Sequence, residues 1–221
     1  MADRDPEQDN LFKEIDEDLR QQKYATLWKN YGKFIIGAAI VLVVGVASVK
    51  GWEAYDLNRR SEDSKMLSSA LKSIARDKPD TAASILETLA KKGSPGYAVL
   101  AQFNQAAVLA KKGEVKAASA AYLELSGDTN IEKIVQDMAL IMAALHGVDT
   151  GDTEILMRKL SRLIDEKNAW RHSAKELSAL LAQKLGNKEK ANKLYKELSD
   201  DATAPSGIRT RATEMTAILG E

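Results

Sequence analysis

Two stretches, KKGEVKAASAAYLEL at residues 111–125 and KLGNKEKANKLYKEL at residues 184–198, share one spacing that decides the fold. Taking Gly113 as an anchor, an alanine lies seven residues before it at Ala106, with Ala118 five after, Tyr122 nine after and Leu125 twelve after. Around Gly186 the same offsets give Ala179, Ala191, Tyr195 and Leu198. Around Gly151 they give Ala144, Leu156, Leu160 and Leu163, and around Asp77 they give Ala70, Ala82, Leu86 and Leu89. The four anchors are spaced by 36, 38 and 35 residues.

These offsets have a direct physical reading. An alanine on a first helix lets a second helix approach closely, a Gly or Asp turn ends the first helix, and an apolar triplet at +5, +9 and +12 makes one helical stripe. Each unit is then a helical hairpin that cannot bury its apolar face alone. Neighbours stack into a solenoid, and a period near 34 residues is that of tetratricopeptide-like units. Pro205 interrupts the chain after a polar stretch, and Ile208 to Leu219 form a last helix that covers the open end of the stack. The expected fold is all-α, with the solenoid and its capping helix over residues 57–221.

The chain of 221 residues has 32 basic and 32 acidic side chains, no cysteine and only four prolines. Charge balance excludes strong electrostatic attraction to nucleic acid, and the lack of cysteine excludes disulfides, thiolate-bound zinc and thiol catalysis. Residues 57–221 carry 25 basic and 22 acidic side chains, as a soluble domain would.

One segment differs from the rest. Residues 34–49, FIIGAAIVLVVGVASV, contain no charge, and ten of the sixteen are Phe, Ile, Val or Leu. Those ten favour membrane insertion by about 3 to 6 kcal/mol, before Gly and Ser reduce it. At about 1.5 Å per residue the run falls short of a hydrocarbon core about 30 Å thick. Lys33 and Lys50 can snorkel outward, and Trp28, Tyr31, Trp52 and Tyr55 sit where interfacial aromatic belts form. The expectation is a single transmembrane helix over residues 34–52, with a buried core helix and a cleaved signal peptide as weaker alternatives. Four basic residues precede the span (Arg20, Lys23, Lys29, Lys33) and four follow it (Lys50, Arg59, Arg60, Lys65), so charge leaves the orientation open. Ala38, Gly45 and Ser48 fall near one face, where small residues admit another helix; whether the chain forms homo-oligomers stays open.

Residues 1–33 read as an acidic tail. The first ten, MADRDPEQDN, are expected to be disordered. Asn10 then suits an N-cap for a short amphipathic helix over residues 11–22, with Leu11, Phe12, Ile15 and Leu19 on one face. Its acidic opposite face favours a protein contact over an anionic leaflet; a frayed lead into the span is the equal alternative.

Catalytic signatures are sparse. His146 and His172 lie 26 residues apart, no His pair has the i, i+4 spacing of a helical metal site, and His172 with Glu176 is the nearest approach to one. Phosphate-cradling glycine loops and nucleophile elbows are lacking. Neither an enzyme nor a cofactor or metal site is expected. Lys91 with Lys92, and Lys111 with Lys112, complement helix C-termini. Tyr97, Phe103 and Trp170 either line a peptide groove or, more simply, belong to the core.

The acidic tail, LWKNYGKF before a single span, WEAY after it, and the degenerate repeats together resemble the ancillary SecYEG translocon subunit family, YfgM-like, across nearly the whole chain. YAVLAQFNQAAVLAKKGEVKAASAAY and AWRHSAKELSALLAQKLGNKEKANKLY look like its paired hairpins. The resemblance implies a bacterial inner-membrane protein with its amino terminus, and so the 1–33 tail, in the cytoplasm and its repeats in the periplasm. It further implies association with a SecYEG-type translocon and with a membrane-anchored periplasmic chaperone related to prolyl isomerases, so that exported chains are handed to folding factors. A structural scaffold of another bacterial cell-envelope complex is the alternative.

Overall fold

The computed structural model describes the backbone of residues 6–165 and 167–220, and side chains at residues 17, 19 and 20 and from 22 onward within those limits. It is helical, with no strand among the described residues. Two compact units are present, Met1–Asn58 and Arg59–Glu221.

The first unit is built from helix α1, Pro6–Ala75, whose later residues belong to the second unit. Prolines explain its length, since none lies between Pro6 and Pro79, and proline suits a helix start because no first-turn N–H is needed there. The helix corrects two expectations for the tail. Residues 6–10 are helical rather than disordered, and Asn10 lies inside the helix rather than capping a separate one over residues 11–22. The helix propagates without a fresh nucleation step, so no separate start is needed at residue 11. The expected disorder of residues 1–5 and the face formed by Leu11, Phe12 and Ile15 lie outside the described residues. Within α1, an 18-residue window has a mean hydropathy of 2.3 and is 6% buried, long and apolar enough to cross a membrane.

Among the described residues the second unit adds eight α-helices: α2 Pro79–Lys92, α3 Pro95–Lys111, α4 Val115–Leu125, α5 Lys133–Gly147, α6 Thr153–Leu160, α7 Arg171–Lys184, α8 Lys188–Asp200 and α9 Ser206–Leu219. From α2 onward each helix packs on the next, and α7 also touches both α5 and α9. The buried side chains fall into three successive clusters. The first joins Ala70 of α1 to Ala82, Leu86, Leu89, Ala101 and Val108; the second centres on Tyr122, Leu140, Leu160 and Leu181; the third joins Ala179, Ala191, Tyr195 and Leu198 to Ile208 and Ala212 of α9. A core divided along the stack in this way is what hairpin repeats produce.

Each anchor lies two residues before the second helix of its hairpin, which starts at Pro79, Val115, Thr153 or Lys188. Three turns are alike. Asp77, Gly113 and Gly186 have φ of 57°, 82° and 76°, the left-handed region where glycine is favoured and Asp tolerated. In each, the next N–H reaches back six residues inclusive: Lys78 N to Ser73 O, Glu114 N to Leu109 O and Asn187 N to Ala182 O, all at 2.9 Å, the Schellman closure of a helix end.

The third turn is built differently. Helix α5 ends at Gly147, and Gly151 N donates to Gly147 O at 2.7 Å with no left-handed residue. Here glycine serves close approach: a Cβ on Gly147 would lie 2.6 Å from Ser119 Oγ and 2.7 Å from Leu156 Cδ1. Asp152 caps α6 by accepting from Ile155 N at 3.0 Å, and a 3-10 turn, Ser161–Leu163, carries the stripe onward to buried Leu163.

Glycine replacements separate the two designs. In the full-length protein in mild detergent, Gly113→Ala and Gly186→Ala each cost about 1 to 2 kcal/mol, because only backbone strain is introduced. Gly147→Ala costs more, since backbone or neighbours must move as well. Thermal unfolding followed by far-ultraviolet circular dichroism ranks the three, and equal losses would contradict the distinction.

Candidate interaction surface

The repeat positions are spent on packing. Ala70, Ala82, Leu86, Ala106, Ala118, Tyr122, Ala144, Leu156, Leu160, Ala179, Ala191 and Tyr195 are all buried, while Gly113 and Gly186 occupy exposed turns. Tyr122 stacks on His146 with ring centroids 5.7 Å apart and tilts against Phe103 at 5.5 Å. Burial pushes its phenol above the ordinary range, as it does for Tyr195, where the Glu176 carboxylate adds to the effect. Phe103 and Trp170 pack against the central cluster and Tyr97 against the first, which assigns all three to packing.

Charged side chains fasten neighbouring elements. Lys111 Nζ donates to Ile74 O near the end of α1 at 2.8 Å and pairs with Asp77 at 3.0 Å, so it serves the C-terminus of another helix. Arg59 Nη2 donates to Lys92 O at 3.1 Å, while buried Asp63 accepts from the backbone N–H and hydroxyl of Ser94, both at 2.8 Å. One turn of α1 thereby holds the end of α2 and the beginning of α3, each with the sign that its dipole favours. Asp137, also buried, pairs with Lys133, lies 3.6 Å from Arg162 and accepts from Asn168 Nδ2 at 2.9 Å.

The two histidines do not converge. His172 Nε2 meets Asp201 Oδ2 at 3.0 Å rather than Glu176, which instead forms a paired contact with Arg211 of the terminal helix at 2.7 and 3.0 Å. No group of three metal-ligating side chains occurs among the described residues.

Binding capacity resides between second helices of successive hairpins. The larger groove, about 420 Å³, is walled by Ala83 and Glu87 of α2 and by Ala121, Glu124 and Leu125 of α4. Its floor is α3, from Gln102 and Gln105 through Val108 and Leu109 to Lys112. The equivalent recess between α4 and α6 holds only about 160 Å³. Sequence reasoning missed this groove because its lining side chains lie mostly off the repeat offsets, and only two small residues, Ala83 and Ala121, hint at the opening.

In the first unit, Trp28, Tyr31, Lys33, Lys50, Trp52 and Tyr55 are exposed, as are Phe34, Val41, Leu42 and Val43 between them. An exposed apolar run of this length and composition is long enough to cross a membrane.

A family model described as a tetratricopeptide repeat-like domain matches residues 25–216. Neither the search of curated proteins nor that of solved structures gave a match.

The contact between α7 and the segment following α8 generates a pH prediction. The Thr203 hydroxyl and backbone N–H, at 2.6 and 2.8 Å, hold the Asp201 carboxyl down at about 2, with His172 contributing less. A depressed carboxylate contributes stability that is fully present above its ordinary value of 3.8 and is lost as pH falls toward about 2. Asp201→Asn therefore removes stability above pH 4 and flattens the acid limb between pH 4 and 2. Unfolding midpoints of both forms across that range provide the check; parallel acid limbs would refute it.

Proposed function

The chain belongs to the tetratricopeptide repeat-like domain family, and we propose that it is a membrane-anchored protein-interaction module without catalytic activity of its own. The observation that carries this reading is the combination in one chain of an exposed apolar helical run with a repeat stack whose framework is consumed by packing. The run crosses the membrane once through about residues 34–52. The stack presents a groove of about 420 Å³ in which a polypeptide segment is held, the use that repeat stacks of this kind favour.

The partner in this proposal is the bacterial protein-export translocon together with a membrane-anchored periplasmic chaperone. The support is the resemblance of LWKNYGKF, WEAY and the paired hairpins to ancillary SecYEG subunits. On this reading the protein resides in the inner membrane, its amino terminus is cytoplasmic and its repeats are periplasmic. Modest affinity suffices, because confinement to one bilayer raises the effective concentration of the partners.

Crosslinking of intact bacterial membranes, followed by mild extraction and identification of what copurifies, tests the proposal with a repeat-deleted form as control. Translocon subunits and a periplasmic chaperone are expected, the chaperone being lost on deletion. Recovery of an unrelated envelope complex without translocon would instead identify a scaffold. A reporter fused at Glu221 is expected to be active only outside the cytoplasm, and cytoplasmic activity would reverse the proposed orientation.

A further inference from the structure

The groove between α2 and α4 has a composition that selects a class of partner. Ala83, Val108, Leu109, Ala121 and Leu125 provide apolar walls and floor. At about 420 Å³ it falls within the range of built ligand sites and accommodates a few side chains, not a whole helix. Gln102 and Gln105 are half-buried along it, and their carboxamides make no hydrogen bond to another group among the described residues, leaving donors and acceptors for a peptide main chain.

Charge distinguishes one wall from the other contents. Glu124 is exposed on α4 and forms no ion pair among the described residues. Glu87 lines the opposite wall from α2; it pairs with Lys91 at 2.6 Å, both side chains being exposed, and this contact holds its carboxyl below the ordinary range. Among the described residues that line the groove the cation is Lys112, already committed to Asp80 at 3.0 Å and Glu114 at 3.7 Å, and these carboxylates raise its ammonium above the ordinary value. Among the side chains that line the groove, the acids Glu87 and Glu124 therefore stand against Lys112, whose charge is already met by Asp80 and Glu114 outside it. The site is apolar within and acidic at the rim, a field that attracts basic side chains and repels nucleic acid.

We propose that this groove docks an extended polypeptide segment of a partner protein that alternates apolar with basic side chains. The apolar side chains enter between Ala83 and Ala121, the glutamine amides hold the main chain, and Lys or Arg of the partner meets Glu87 and Glu124. The inference rests on the interaction-module reading and deepens it by naming the chemistry recognised.

A fluorescent dodecapeptide of alternating Leu and Lys, with one photoreactive leucine analogue, is the probe. It is titrated against the full-length protein in uncharged detergent micelles, beside a Leu/Glu and a Ser/Lys version. The Leu/Lys peptide is expected to bind best and to crosslink to the stretches of α2, α3 and α4 that line the groove. The exposed double variant Glu87→Lys with Glu124→Lys weakens it by about tenfold or more with helical content unchanged, and Glu87→Gln with Glu124→Gln falls between. No binding, crosslinks mapping elsewhere, equal binding of the Leu/Glu peptide, or indifference to charge reversal each overturns the proposal. Failure here is distinguishable from failure of the broader reading. Partners that copurify through the repeats yet ignore the charge reversal would leave the module standing without this groove, whereas repeats that capture no partner would remove the module itself.

Discussion

The close approach of paired helices is the constraint on which the rest of the second unit depends. In hairpins one, two and four, a buried alanine before the turn is matched by a buried alanine after it: Ala70 with Ala82, Ala106 with Ala118, and Ala179 with Ala191. Where both helices present only a methyl, the larger residues at +9 and +12 reach across to the neighbouring hairpin. Tyr122 in the second cluster occupies this role, and Tyr195 in the third does the same toward the terminal helix α9. Enlarging either alanine would force helices apart at the point where each hairpin's shape is set, an overpacking penalty of about 1 to 3 kcal/mol.

The third hairpin meets the same constraint by exchange. Its position after the turn is Leu156 instead of alanine, and the added bulk is received by Gly147 on the opposing helix, with Gly151 also within reach of the leucine's methyl. A large residue on one helix is thus balanced by the removal of a side chain on the other, which conserves volume across the contact. The shortened α6 and the 3-10 turn after it still deliver Leu160 and Leu163 to the core. Buried Asp137 holds the irregular connection through Asn168 and Arg162.

Much of this was legible in the linear pattern because the packing positions recur at fixed offsets, and the anchors mark the start of all four second helices. The pattern did not disclose that Gly151 acts by close approach while Gly113 and Gly186 act by left-handed φ, since one letter serves both purposes. Arg59 was legible only as one charge among those flanking an apolar run. In the fold it holds the carbonyl end of α2, a use that depends on a contact 33 residues away in sequence. The tail shows the opposite error: MADRDPEQDN has a disordered composition, but from Pro6 its backbone is part of one continuous helix that needs no separate nucleation there.

The groove explains how one fold can separate stability from recognition. Helix packing consumes the residues at −7, +5, +9 and +12, and of the groove-lining side chains on α2 and α4 only Leu125 occupies such a position. Ala83, Glu87, Ala121 and Glu124 sit off those offsets, so their identities are not dictated by the hairpin. The site at the first joint differs from the tighter recess at the next because Ala83 and Ala121 leave space, whereas Leu123, Ile155 and Leu156 occupy it there. Repeat architecture therefore fixes where grooves occur, while a departure from its small residue at +5, Leu156, together with residues outside the pattern, sets how open each groove is and what charge surrounds it.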